Sequence, residues 1–217
     1  MKRERIGRHL SVNRAPHSQD PDDTASGQAS HACPAGEPPD ARATSDDAGK
    51  APERLRVLNR ILAAHEAYFD VRRDYEYSGR IFDGYAEFHS HGQKYVLVKR
   101  ATLWEVDTHE YAFFCAIPRL DLPWLREATA FMETEALRKV DPKPNHMSSA
   151  ITLVVVADRA DDDAWRELAR TRFRKSFSWG IRGWSDLRLA AADLSRNRAT
   201  ANGAAKPLIE TVRSCMP

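Results

Sequence analysis

Leu55, Leu58, Ile61, Leu62 and Phe69, with His65 in the same stripe, recur at helical spacing behind Pro52 and predict an amphipathic helix. The rhythm then changes to alternation. "DVRRDYEY" (70–77) and "IFDGYAEFH" (81–89) read as strands joined across Ser78-Gly79. A third strand, "KYVLVKRATLWEV" (94–106), is expected to meet the second across a turn at Ser90-His91-Gly92-Gln93, with "HEYAFFCAI" (109–117) after Asp107-Thr108. Asp121 then stands where a helix N-cap belongs, with Pro123 in the first turn and an apolar stripe at Leu125, Ala128, Met132, Ala136 and Val140. Two prolines in "DPKPN" end that helix, because neither can continue it.

"ITLVVVAD" (151–158) is apolar throughout and rich in β-branched residues, which predicts a strand covered on both faces. "DDDAWRELART" places acids in a first helical turn and arginines in the last, as the helix dipole favours. "SFSWGI" and "WSDLRLAAADL" supply two closing strands around Gly180 and Gly183. Together these elements predict an α+β fold, a mixed and largely antiparallel sheet with packed helices, in the order α-βββ(β)-α-β-α-ββ.

Composition divides the chain. Residues 1–50 contain no Phe, Trp or Tyr, and the first aromatic residue is Tyr68. So little apolar surface cannot offset the entropy of ordering, so residues 1–51 read as a disordered tail and 52–217 as a single α+β domain. The tail is basic at its start and acidic in its second half, which suits a solubilising extension. The longest apolar runs, "YAFFCAI" and "ITLVVVA", are far short of a membrane span, and no apolar segment follows the basic N-terminal residues. Cys33, Cys115 and Cys215 are widely spaced and form no CxxC, which fits a reducing, cytoplasmic setting without disulfides. A formal charge of +2 over 217 residues selects no class of partner, and neither cofactor nor oligomeric state can be read from the chain.

The order of elements resembles the restriction-endonuclease-like core, which implies an acid on one strand and an acid-x-Lys triplet on the next. Two carboxylates would hold Mg²⁺ while the lysine helps activate water. Asp83 fits the first acid and Lys99 the lysine, but Leu97 stands where the second carboxylate belongs, and leucine cannot ligate Mg²⁺. His89 and His91 form an HxH with no evident third ligand, so no metal site is expected. His146, just before the buried strand, is a weak candidate for a general base. GxSxG, GxGxxG, Walker and HExxH fingerprints are all missing.

The strongest local signal is "RTRFRKSFSWGIRGWSDLRL". It sets Arg170, Arg172, Arg174, Lys175, Arg182 and Arg188 against Asp186, interleaved with Phe173, Phe177, Trp179 and Trp184. Cations contact phosphates and exposed rings stack on bases, so these cations and Trp184 are the candidate polyanion-binding set. The alternation of Phe177, Trp179 and Ile181 fits equally well the buried face of a strand. Two functions stay open. One is a non-enzymatic binding or regulatory module that contacts nucleic acid or another polyanion, which the residues favour. The other is a metal-dependent phosphodiesterase, or its inactive relative.

"FDGYAEF" (82–88), "HMSSAITLVVV" (146–156) and "KSFSWGIRGWSDLRLAAADL" (175–194) together resemble an uncharacterised bacterial domain-of-unknown-function family over roughly residues 53–195. The resemblance implies an intracellular bacterial protein. It carries over no activity, ligand or catalytic residue, and it makes the segment around Gly183-Trp184 the place to look for function.

Overall fold

Val57, Leu58, Ile61, Leu62 and His65 are buried along one side of α1 (Glu53–His65), so the predicted stripe is the face that packs. The computed structural model describes residues 30–31, 51–92, 106–143 and 146–217. After α1 come β2 (Asp70–Tyr77), β3 (Arg80–Gly92), β4 (Val106–Leu120), α2 (Leu122–Thr134) and β5 (His146–Ala160). The chain continues through α3 (Asp162–Arg170), β6 (Arg174–Ser176), β7 (Trp184–Asp193), β8 (Arg198–Ala201) and α4 (Leu208–Ser214). A two-residue strand, β1 (Ser30–His31), lies parallel to Arg80 and Ile81. The rest of residues 1–50 lies outside the described residues.

All strands join one mixed sheet in the order β1-β3-β4-β5-β7-β6, with β2 beside β3 and β8 beside β7. This is the α+β architecture expected. Pairing is antiparallel for β2–β3, β3–β4, β6–β7 and β7–β8, and parallel at the centre for β4–β5 and β5–β7. Each central parallel pair needs a crossover, and α2 and α3 lie within those two connections. Both pack on the same face, as two crossovers of one hand must when the chain steps across a sheet in one direction.

Side chains of β5 divide between two cores. Ile151, Leu153, Val155 and Ala157 point to α2 and α3, with Phe113, Leu125, Met132 and Leu168. Val154 and Val156 point to α1 and α4, with Leu58, Ile61, Phe114 and Val212. A strand buried on both faces has no polar side to show, which is why "ITLVVVAD" is an unbroken apolar run. Asp121 caps α2 as its position implies, accepting a hydrogen bond from the Trp124 N–H at 2.9 Å.

Three predicted features differ. Ser90, His91 and Gly92 of the expected turn are strand, because β3 runs to Gly92 and pairs with β4 from Gly92↔Val106 to Gly84↔Phe114, while Gln93 lies outside the described residues. The neighbour of β3 is therefore the "HEYAFFCAI" strand, and most of the predicted "KYVLVKRATLWEV" strand lies outside the described residues. "SFSWGI" is strand only at Ser176, the end of β6. Ser178 and Trp179 take consecutive left-handed φ of 48° and 58°, which turn the chain out of an extended run, and Trp179 and Ile181 stand exposed instead of buried. Finally, β8 and α4 extend the fold beyond the last predicted element. Among the described residues no helix is long and apolar enough to cross a membrane, and Cys115 and Cys215 are both buried.

Candidate functional site

The edge of β7 away from β5 is shared by two short strands. β6 pairs with Trp184–Asp186, and β8 pairs with Ala190–Asp193. Between them Leu187, Arg188 and Leu189 face a gap, and a cleft of about 500 Å³ opens there. Arg172, Arg174, Asp186 and Arg188 line it, with Asn202 in its wall. Arg174 lies directly across from Asp186, and Arg188 follows Asp186 by two residues, so all three project from the same sheet face. Phe173 faces the other way, into the α2/α3 core. Phe173 is thus kept apart from the arginines, whereas Trp184, two residues before Asp186, shares their face.

Charge in the cleft is largely balanced. Asp186 accepts two hydrogen bonds from Arg174, at 2.6 and 2.9 Å, and a third from the Trp184 indole N–H at 3.2 Å. That carboxylate raises the Arg174 guanidinium above its already high ordinary value, and the same guanidinium lies 5.4 Å from the Trp184 ring centre. Arg188 donates from Nη1 to Glu110 at 2.7 Å, and Glu110 also accepts from the Thr152 hydroxyl at 2.7 Å. Two donors are left over. Arg172 is exposed and forms no ion pair among the described residues. Arg188 Nε is buried with no hydrogen-bond partner among the described residues. A buried donor without an acceptor costs free energy unless something fills the place, so its position beside the cleft matters.

The other predicted cations stand apart. Helix α3 stops at Arg170, with Thr171 already extended, so Arg170 and Arg174 do not share a helical face. Lys175 has the opposite parity to Arg174 on β6 and is exposed. The Arg182 side chain is exposed in the loop beyond, while its carbonyl accepts a hydrogen bond from His146 Nδ1 at 2.8 Å. A carbonyl can only accept, so His146 carries its proton on Nδ1, and its Nε2 lies 2.7 Å from the Ser149 hydroxyl. His146 is 4% exposed with both ring nitrogens engaged, so it ties the start of β5 to the 177–183 loop.

The nuclease candidates do not assemble among the described residues. Strand alternation slips at Asp83, because Phe82 and Tyr85, three residues apart, join the same core cluster. The β2–β3 pairing skips Asp74 and Asp83, and Asp74 takes a φ of 49°. Released from the ladder, the Asp83 carboxylate accepts a hydrogen bond from the Ala116 N–H at 2.8 Å and so satisfies a strand that would otherwise lack a partner there. Leu97 and Lys99 lie outside the described residues. No group of three or more His, Cys, Asp and Glu side chains gathers as a metal site among the described residues.

Sequence reading found the arginines of the cleft but missed Glu110, Thr152 and Asn202, which arrive from other strands and carry no motif. No curated protein and no solved structure matches the chain. Residues 53–214 do match the model of DUF8052, a domain of unknown function, and this coverage from α1 to α4 places the chain in that family.

Proposed function

We propose that the domain is a binding module whose β7-edge cleft takes a phosphate group of a polyanion, with nucleic acid the ligand class its surroundings suit best. The observation that carries the reading is the pair of unspent donors in one cleft, Arg172 and Arg188 Nε. Arg174 stands beside them, oriented by Asp186 and Trp184. Further along the same hairpin, Trp179 is fully exposed and offers a ring face on which an unpaired base could stack. With two of the three guanidiniums already paired to carboxylates, the cleft suits one or two phosphates rather than a long charged track.

Fluorescence anisotropy with labelled single- and double-stranded DNA and RNA tests this, at about 50 mM salt where such contacts are least screened. Expected is weak binding that falls steeply with salt and is stronger for single strands. Arg172→Ala should lower the slope of log K against log salt by about 1, the signature of one lost phosphate contact. Absence of binding at that salt, or binding indifferent to Arg172→Ala and Arg188→Ala, would refute the reading.

A further inference from the structure

On the opposite face of the sheet, four tyrosines form a row across three strands: Tyr75 and Tyr77 from β2, Tyr85 from β3 and Tyr111 from β4. Tyr75 and Tyr85 stack at 4.1 Å between ring centres. The chain leaves α2 through a short 3-10 turn, Ala136–Lys139, and Lys139 reaches back over this row. Its Nζ lies 4.6 Å from the ring centre of Tyr85, 5.0 Å from Tyr77, 5.4 Å from Tyr75 and 5.7 Å from Tyr111. One such contact is ordinary, whereas four on a single ammonium make a cage.

The cage is built in place. Tyr77 donates its hydroxyl proton to the Glu135 carbonyl at 3.0 Å and so fixes the turn that carries Lys139. Tyr85 donates to Glu87 at 2.7 Å. Burial first, then Glu87 and Asp141, push the Tyr111 hydroxyl up to about 12, which places two carboxylates within electrostatic reach of the rings. Tyr85 and Tyr111 are buried while Tyr75 and Tyr77 are only partly so, which leaves the row open on its β2 side.

The resident fits the cage imperfectly. A lysine ammonium has three N–H donors, and among the described residues Lys139 Nζ has ring faces beside it but no protein acceptor, so its donors depend on water at the open side of the row. Ring faces reward positive charge but do not replace the hydrogen bonds of water. A quaternary ammonium has no N–H to satisfy and would lose nothing in the same place. We infer that the tyrosine row is a binding site for methylated ammonium groups, with Lys139 as its built-in plug. The stem of Lys139 has enough rotatable bonds to swing out without moving the backbone, so a ligand can displace it. The shared chemistry is a trimethylammonium head, carried either by a modified lysine of a partner protein or by a free small molecule.

The test is a titration of the full chain, with tyrosine rings carbon-13 labelled, against tetramethylammonium chloride, and against sodium chloride at matched ionic strength. Tyr75, Tyr77, Tyr85 and Tyr111 resonances should shift with tetramethylammonium alone, with Lys139→Ala binding at least tenfold more tightly than the unaltered chain. Adding Tyr75→Ala to Lys139→Ala should abolish the shifts. Parallel titrations with choline and with N-acetyl-trimethyllysine amide decide the source, since a partner-lysine site prefers the second and a small-molecule site the first. Equal affinity with and without Lys139, or no shifts in a folded Lys139→Ala chain, overturns the inference. Failure of Lys139→Ala to fold also overturns it, because a plug that the fold cannot lose is a strut.

Discussion

Gly183 carries the bend between β6 and β7 at a φ of 73°, where side-chain-bearing residues are strained, and a Cβ there would overlap the Met147 carbonyl. Gly183→Ala meets both penalties at once and should cost at least about 2 kcal/mol, combining left-handed strain with the need to separate two backbones. Urea unfolding measures this directly, and a loss below about 0.5 kcal/mol would mean that the bend yields easily. Trp179, four residues earlier, teaches a different lesson about reading sequence. Its alternation with Phe177 and Ile181 resembles a strand face, yet only Phe177 packs against the core. Ser178 and Trp179 occupy left-handed conformations that cost on the order of 1 kcal/mol each, and five backbone hydrogen bonds within residues 177–183 hold them. Gly180 and Gly183 announce a bend, but nothing local announces that two non-glycine residues share it.

At the scale of elements, Asn202 acts as a strand residue without belonging to a strand. Its side-chain oxygen accepts from the Leu189 and Ala205 N–H groups, both at 3.1 Å. Its amide donates to the Leu187 carbonyl at 2.9 Å and the Thr171 carbonyl at 3.2 Å. In this way it fills the stretch of β7 edge that neither β6 nor β8 reaches, and it sets the wall of the cleft. Asn202→Ala would leave these buried groups orphaned, with an expected cost of about 3 kcal/mol in equilibrium unfolding. A cost under about 1 kcal/mol would indicate that water enters and replaces the amide. Asn202-Gly203 reads locally as a turn, so its bridging of α3, β7 and β8 was illegible. Elements with a long apolar period, α1, α2 and β5, were legible because burial itself writes that period. Glu110, paired with Arg188 across 78 positions, left no such trace.

For the whole molecule, the sheet separates two cores, and each candidate site opens on a different face. Arg172, Arg174 and Arg188 lie on the face covered elsewhere by α1 and α4, and the tyrosine row lies on the face of α2 and α3. A ligand at one site therefore need not obstruct the other. The two cores also set what the domain can lose. Every described residue of both clusters lies at Val57 or beyond. Upstream, the described contact with the sheet is the pairing of Ser30 and His31 with Arg80 and Ile81. Such a short strand buries too little to hold a domain together, since its few backbone hydrogen bonds replace bonds to water at a net gain of about 1 kcal/mol each. Removing residues 1–50 is accordingly expected to leave a folded domain, with a loss of at most about 2 kcal/mol and an unchanged dependence of unfolding free energy on denaturant. A larger loss, or a smaller slope after truncation, would mean that the upstream segment buries surface against the sheet beyond this one pairing.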